Sequence, residues 1–254
     1  MHPDSVTASL IIVGNEILSG RTQDTNLNYL AKRLGERGIR LAEVRVIADQ
    51  AETIQSAVNE LRARYDYVFT TGGIGPTHDD ITAENIAAAF GVPLIQHPEA
   101  VEVLNAYYAA RDQEVTEARL RMARTPEGAT LIDNPVSGAP GFCMDNVYVM
   151  AGVPKIMQGM LEGLLPQLKQ GAITDQQSIA CDLPESVLSS ALADIQAAHP
   201  SVDIGSYPGL SGISGPAAGS RVSIVVRSLD AKRNTSIIAQ IKAAILTLDG
   251  RIVD

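Results

Sequence analysis

Cysteine is nearly absent from this chain of 254 residues: Cys143 and Cys181 stand far apart, and neither has cysteine or histidine beside it at ligand spacing. A zinc site is not expected, and two buried, reduced thiols are. Basic clusters are missing too, and the formal net charge is −9, which argues against nucleic acid or an anionic membrane as partner. Small molecules are the expected ligands. No run of about 18 apolar residues occurs, and the opening Met-His-Pro-Asp-Ser has neither the basic nor the apolar region of a signal peptide. A cytoplasmic protein is expected. Repeats, heptads and low-complexity tracts are absent, so this length reads as a domain of about 150 residues plus a smaller one.

Hydrophobic periodicity gives the order of elements. Ser9 to Val13 is an apolar run ending at Gly14, and Leu27, Leu30, Ala31 and Leu34 then recur at helical spacing between Thr25 and Gly35. Leu41 to Ile47 alternates like a strand, Ile54, Ala57, Val58 and Leu61 form a helix face, and Tyr67 to Thr71 is a third strand. Three strand-helix units in succession predict an α/β fold, a three-layer, mostly parallel sheet with helices on both faces. Helical segments are expected over Thr82 to Phe90 and Pro98 to Arg124, with Gly91-Val-Pro as punctuation. A strand at Val147 to Met150 and a helix from about Lys155 to Leu165 close this first domain, residues 1–169. Residues 170–254 read as a small α+β domain, with strands near Ser178 to Cys181, Val202 to Ser206 and Arg221 to Arg227. Its helices are expected at Pro184 to Ala198 and Asp230 to Leu248, and a hairpin tip at Leu210 to Gly219.

The chemistry concentrates in Thr70-Thr-Gly-Gly-Ile-Gly-Pro-Thr-His-Asp-Asp-Ile-Thr82. Gly72, Gly73 and Gly75 permit positive φ and let backbone N–H groups approach an anion, and the following helix adds its unpaired N–H groups. A phosphate suits that turn, except that Asp79 and Asp80 repel it unless they hold a cation such as Mg²⁺ or handle a proton. The segment is neither a G-x-G-x-x-G fingerprint nor a Walker loop, since no Gly-Lys-Ser/Thr follows. Ligands of open α/β sheets sit beyond the carboxyl ends of the strands. The loops expected there are Gly14-Asn15-Glu16, Asp49, the glycine turn with Thr71 and Thr77, and Gly152-Val-Pro. Ser137-Gly138-Ala-Pro-Gly141 is a further candidate anion cradle.

These segments together resemble the molybdopterin-binding domain shared by molybdenum cofactor biosynthesis proteins and the competence/damage-inducible protein A family, the latter being the closer match. Gly14-Asn-Glu-Ile-Leu-Ser-Gly20 with Arg21-Thr-Gln-Asp-Thr-Asn26, the glycine turn, Ser137-Gly-Ala-Pro-Gly-Phe142 and Gly152-Val-Pro154 follow that family's motifs in order, over about residues 8–168. Pro184-Glu-Ser186 and Gly205-Ser-Tyr-Pro208 resemble the smaller domain that follows in the family and in eukaryotic FAD synthases. The resemblance implies metal-dependent hydrolysis of a dinucleotide pyrophosphate such as ADP-ribose or FAD, with Mg, Mn or Co, and a homo-oligomer, dimer or trimer. The full-length family carries a nicotinamide mononucleotide deamidase domain for which this chain has no room, so deamidation is expected to be absent. The essential aspartates of the related adenylyltransferases correspond to Asp80 and Asp49, the expected catalytic and metal-binding residues, with Asp79 and Glu16 beside them.

Each assignment has a structural rival. Asp49 and Asp80 are also suited to capping the helices that follow, Asn26 to starting one, and Glu16 to pairing with Arg21 or Arg45. His78 reads equally as acid, base, ligand or solvent-facing residue, and Lys155 as an anion contact or a solvated cation. Met144, Met150, Met157 and Met160 are expected in the core. Two other functions stay open: binding or adenylylation of molybdopterin in cofactor synthesis, and a non-catalytic nucleotide sensor.

Overall fold

The computed structural model describes residues 6–209 and 221–253; the expected hairpin tip at Leu210 to Gly219 and the opening Met-His-Pro-Asp-Ser lie outside the described residues. The chain divides into two units, one ending at Ala172 and one beginning at Ile173. The first opens with β1 (Val6–Val13), a short helix α1 (Asn15–Leu18), α2 (Asn26–Gly35), β2 (Ile39–Ile47), α3 (Ala51–Arg62), β3 (Tyr67–Thr71) and α4 (Thr82–Phe90). It continues through β4 (Leu94–Gln96), α5 (Pro98–Ala109), α6 (Glu117–Leu120), β5 (Arg124–Pro126), β6 (Thr130–Ile132), β7 (Gly141–Met144), β8 (Val147–Met150) and α7 (Pro154–Leu164). Tighter 3-10 turns occupy Arg121–Ala123 and Leu165–Gln167.

Six strands form one sheet in the order β2-β1-β3-β8-β7-β6. The first four run parallel, β7 runs antiparallel to β8, and β6 antiparallel to β7. Strand β1 has neighbours on both edges and helices over both faces, which is why seven of its eight residues are buried and its sequence VTASLIIV reads as a nearly continuous apolar run. Leu10, Ile12 and Phe69 share one core with Leu30, Leu34, Met157 and Leu161 of α2 and α7. Ile11, Val13 and Val68 share the other with Ile54, Val58, Leu61 and Ile86 of α3 and α4. Met150, Met157 and Met160 are core residues, as expected, and Met144 packs against the second core. The parallel register sets Val13 beside Ile47, Ile12 beside Thr71, and Thr71 beside Met150, so four strands end in one row.

Several expectations need correction. The helical segment over Pro98 to Arg124 is interrupted: α5 stops at Ala109, and Arg124 already belongs to β5. The punctuation at Gly91-Val-Pro leads directly into β4, which pairs with β5 in a separate ladder. Gly141, read as a loop residue, opens β7, where a Cβ would collide with the Val149 carbonyl oxygen. Cys181 is buried, but Cys143 is only half-buried; burial nonetheless pushes the Cys143 thiol up to about 11.

The second unit runs β9 (Asp175–Cys181), α8 (Glu185–Ala198), β10 (Asp203–Pro208), β11 (Val222–Ser228), α9 (Ala231–Thr247) and β12 (Ile252–Val253). Its sheet has the order β10-β11-β9-β12 and is antiparallel in every pair, the arrangement of a split βαβ fold. Asp230 caps α9 by accepting from the Lys232 and Arg233 N–H groups at 3.0 and 3.1 Å. Ile237, Ile241 and Ile245 of α9 then pack on Ile179, Ile224 and Val226. Among the described residues no helix is long and apolar enough to cross a membrane.

Candidate functional site

The loops that leave β1, β2, β3 and β8 are stitched together where the strands end. Gly14 N–H donates to Ile47 O at 3.1 Å and Gly72 N–H to Met150 O at 3.2 Å. A Cβ on Gly152 would come within 3.2 Å of Gly72 Cα, so these two loops touch through their backbones. The glycine turn is fixed in the same way. Gly72 and Gly73 hold φ of 101° and 68°, values that strongly favour glycine. A side chain on Gly73 would collide with the buried Thr82 hydroxyl, which donates to Gly72 O at 3.0 Å while Thr82 N–H donates to Gly73 O at 2.9 Å. Thr82 thereby clamps the beginning of the turn onto the start of α4.

A cleft of about 520 Å³ opens over this row, within the range of roughly 300–1,000 Å³ that small-molecule sites occupy. Of the expected residues, Glu16, Asp49, Gly72, Gly73, Gly75, Thr77, Asp79, Asp80, Ser137 and Gly152 line it. Asp49 does not cap α3, whose N-cap is Gln50. Its Oδ2 accepts from the Asn15 N–H at 2.8 Å, and this links the loops after β1 and β2. Asp80 is likewise not the cap of α4, which is Ile81. Asp80 Oδ2 accepts from the Thr77 N–H at 2.8 Å and lies over Gly75, where a Cβ would stand 2.6 Å from it.

The Thr77 hydroxyl lies 2.5 Å from both Asp79 Oδ1 and Asp80 Oδ2. A hydroxyl has one proton, so it serves one carboxylate at a time and leaves the pair of negative charges unmatched. The Asp79 carboxyl is held below its ordinary range, first by the Thr77 hydroxyl. No backbone carbonyl among the described residues takes the N–H groups of Gly73, Ile74 or Gly75, so these three donors are available to an anion.

Other expected residues act behind the cleft or differ from expectation. Asn26 is buried at the start of α2 and donates through Nδ2 to Gly152 O at 2.8 Å, while its Oδ1 is buried without a partner. Thr71 is buried in β3, and Gly14 and Asn15 contribute through their backbones. The Ser137 loop is largely self-satisfied. Asn134 Oδ1 accepts from Val136 and Ser137 N–H, each at 3.0 Å, and Asn134 O accepts from Gly138 N–H at 3.1 Å. Ser137 faces the cleft, but these three N–H groups are not free to cradle an anion. Gly138 adopts φ of 75°, and a Cβ there would collide with the Tyr107 ring. Arg45 pairs with Glu43 and Glu60 and not with Glu16. His78 has a side chain 96% exposed, and Lys155 is also exposed.

Thr22, Met122, Asn134 and Ile156 also line the cleft and were not anticipated as contacts. Asn134 carried a signal, because an Asx residue followed by proline and two or three N–H groups is a turn organiser. Thr22 and Met122 reach the site through tertiary packing alone.

Fold and cleft define an α/β protein with an open cleft at the carboxyl ends of parallel strands. Residues 9–170 match the family described as a probable molybdopterin binding domain, and residues 175–248 match the FAD synthase middle domain. The chain belongs to this molybdopterin-binding-domain family and is similar to its CinA-like members. A protein of Aeropyrum pernix is 34% identical over 99% of this chain and 97% of its own length. A CinA-like protein of Desulfosudis oleivorans is 34% identical over 78% of this chain and 51% of its own, so the chain spans about half that relative. The crystal structure of CinA from Thermoplasma acidophilum, 34% identical, superposes with a TM-score of 0.58 over 63% of this chain and 98% of that one.

Proposed function

We propose that the protein is a metal-dependent hydrolase of a dinucleotide pyrophosphate, ADP-ribose, FAD or a relative, and that it releases AMP. One observation carries this reading. Glu16, Asp49 and the Asp79–Asp80 pair, from three separate loops, line one cleft together with Gly73, Ile74 and Gly75 of the glycine turn, whose N–H groups bond no backbone carbonyl among the described residues. The N–H groups of Gly73, Ile74 and Gly75 hold a non-reacting phosphate, and the loop geometry orients the phosphoanhydride across the cleft. Water adds to one phosphorus as the bridging P–O bond breaks, which gives AMP and a second phosphate monoester.

The donor set suits a hard divalent cation. All candidate ligands are carboxylate oxygens, the donors that a metal of the Mg²⁺ type takes; such an ion is held by one or two carboxylates plus substrate phosphates and water. No group of three His, Cys, Asp or Glu among the described residues is arranged to hold an ion by itself. Asp49 and Asp80 would hold it, each anchored through Oδ2 to its own loop system. When bound, such an ion offsets phosphate charge and lowers the pKa of water. The match to the FAD synthase middle domain supports a nucleotide ligand. The match to a probable molybdopterin binding domain favours a second reading, a pterin phosphate in the same cleft.

Incubation with ADP-ribose, FAD or NAD and Mg²⁺, Mn²⁺ or Co²⁺, followed by chromatography, is expected to yield AMP that disappears with chelator. Tight binding of a pterin phosphate with no AMP from any dinucleotide would replace the hydrolase reading by the second.

A further inference from the structure

Among the described residues the wall of the cleft carries four carboxylates, those of Glu16, Asp49, Asp79 and Asp80, and no lysine, arginine or histidine. A ligand with two phosphates adds at least two more negative charges, and like charges about 4 Å apart repel appreciably even near a solvated surface. Cations must stand close by. A small cavity of about 20 Å³ lies against the same turn and shares Gly73, Ile74, Gly75, Asp80 and Met122 with the cleft. Arg121 and Arg124 line it.

These two arginines differ from the rest. Both are half-buried, yet no ion pair or hydrogen bond among the described residues reaches either guanidinium. The other half-buried arginines, at 33, 37, 45, 62, 119 and 227, all have hydrogen-bond partners. Asp80 and Glu84 line the same cavity without pairing to them. Arg121 begins the 3-10 turn and Arg124 follows it; residues three apart in such a turn project in similar directions. The two guanidinium groups carry ten N–H donors, none of them with an acceptor among the described residues, on residues that line a cavity against the glycine turn.

We infer that Arg121 and Arg124 form an oxyanion-binding wall that takes the second phosphate of a diphosphate ligand, while the glycine turn takes the first. The cavity has room for about one water-sized group, so a single phosphoryl oxygen enters it and the remainder of the ligand stays in the cleft. Guanidinium suits this role because its planar donors match phosphate oxygens two at a time. The inference rests on the phosphate-ligand part of the proposed function and does not require hydrolysis.

Calorimetric titration of the whole chain with inorganic pyrophosphate, and with AMP as a monophosphate comparison, tests it. Arg121→Gln and Arg124→Gln are each expected to weaken pyrophosphate about tenfold or more, to affect AMP less, and to combine in the double variant. Arg124→Lys should recover part of the loss, and Arg40→Gln, exposed on β2, should bind as the parent does. Unchanged pyrophosphate affinity in the double variant, or no pyrophosphate binding by the parent, overturns the inference. AMP release from ADP-ribose or FAD with a divalent metal, measured on the same parent and variant proteins, separates the two readings. Arginine-dependent binding without AMP removes hydrolysis alone, whereas AMP release indifferent to both arginines removes the wall alone.

Discussion

Asp80 and Asp49 each commit one carboxylate oxygen to a backbone N–H of the site loops, and this fixes their direction before any ligand arrives. Such anchoring is what a metal or proton site needs, because a carboxylate that must first be ordered binds more weakly. At Gly73 the requirement is steric. Gly73→Ala would place a methyl group on the Thr82 hydroxyl at a φ of 68°, and the expected loss is about 1–3 kcal/mol of stability, read as a lower midpoint in denaturant unfolding, together with loss of ligand binding. Unchanged stability would mean that the turn relaxes easily. The glycines and the two aspartates were legible in the sequence because glycine spacing and adjacent carboxylates are local signals. The clamp by Thr82 was not, since a threonine in a loop has many possible partners and the one it chooses is a tertiary fact.

At the scale of elements, the long strands and helices announce themselves through their period, and the short ones do not. Strands β4, β5 and β6 are three residues each, too short for alternation to register. They form because a neighbouring backbone offers a ladder, which no local pattern reveals. The start of β1 is tied to the lead-in of β3 by Asp66, whose Oδ2 accepts from Thr7 N–H at 2.7 Å and from the Thr7 hydroxyl at 2.8 Å. These bonds, the backbone one foremost, hold the Asp66 carboxyl below its ordinary range. A folded-state pKa below the unfolded one adds stability above the unfolded value, near 4, and loses it as pH falls through the folded value. Asp66→Asn should therefore lower the melting temperature at neutral pH by an amount worth less than about 1 kcal/mol, because the carboxylate is solvent-screened. The gap to the parent should close as the pH falls below 4. A pH-independent gap would assign the effect to packing.

At the scale of the molecule, the two units have separate cores. That of the second is built from Ile179, Leu188, Ile224, Val226, Ile237, Ile241 and Ile245. A fragment of residues 173–254 is expected to unfold cooperatively in denaturant; a non-cooperative transition would show that it depends on the remainder of the chain. The overall α/β class and the order of strand-helix units were readable because β1 to β3 repeat one pattern. The antiparallel return through β7 and β6 was not, because direction in a sheet is set by connections that leave no periodic trace. The functional claim belongs to this scale as well, since its carboxylates come from three loops that only the parallel register brings into one row. Its most direct test is chromatographic detection of AMP from ADP-ribose or FAD with a divalent metal, using the parent and Asp80→Asn side by side. The account predicts AMP from the parent and a loss of at least about a hundredfold in the variant, the scale on which removing one group that stabilises transition-state charge acts. Equal AMP release by Asp80→Asn, or none by the parent with any of the metals, would contradict it.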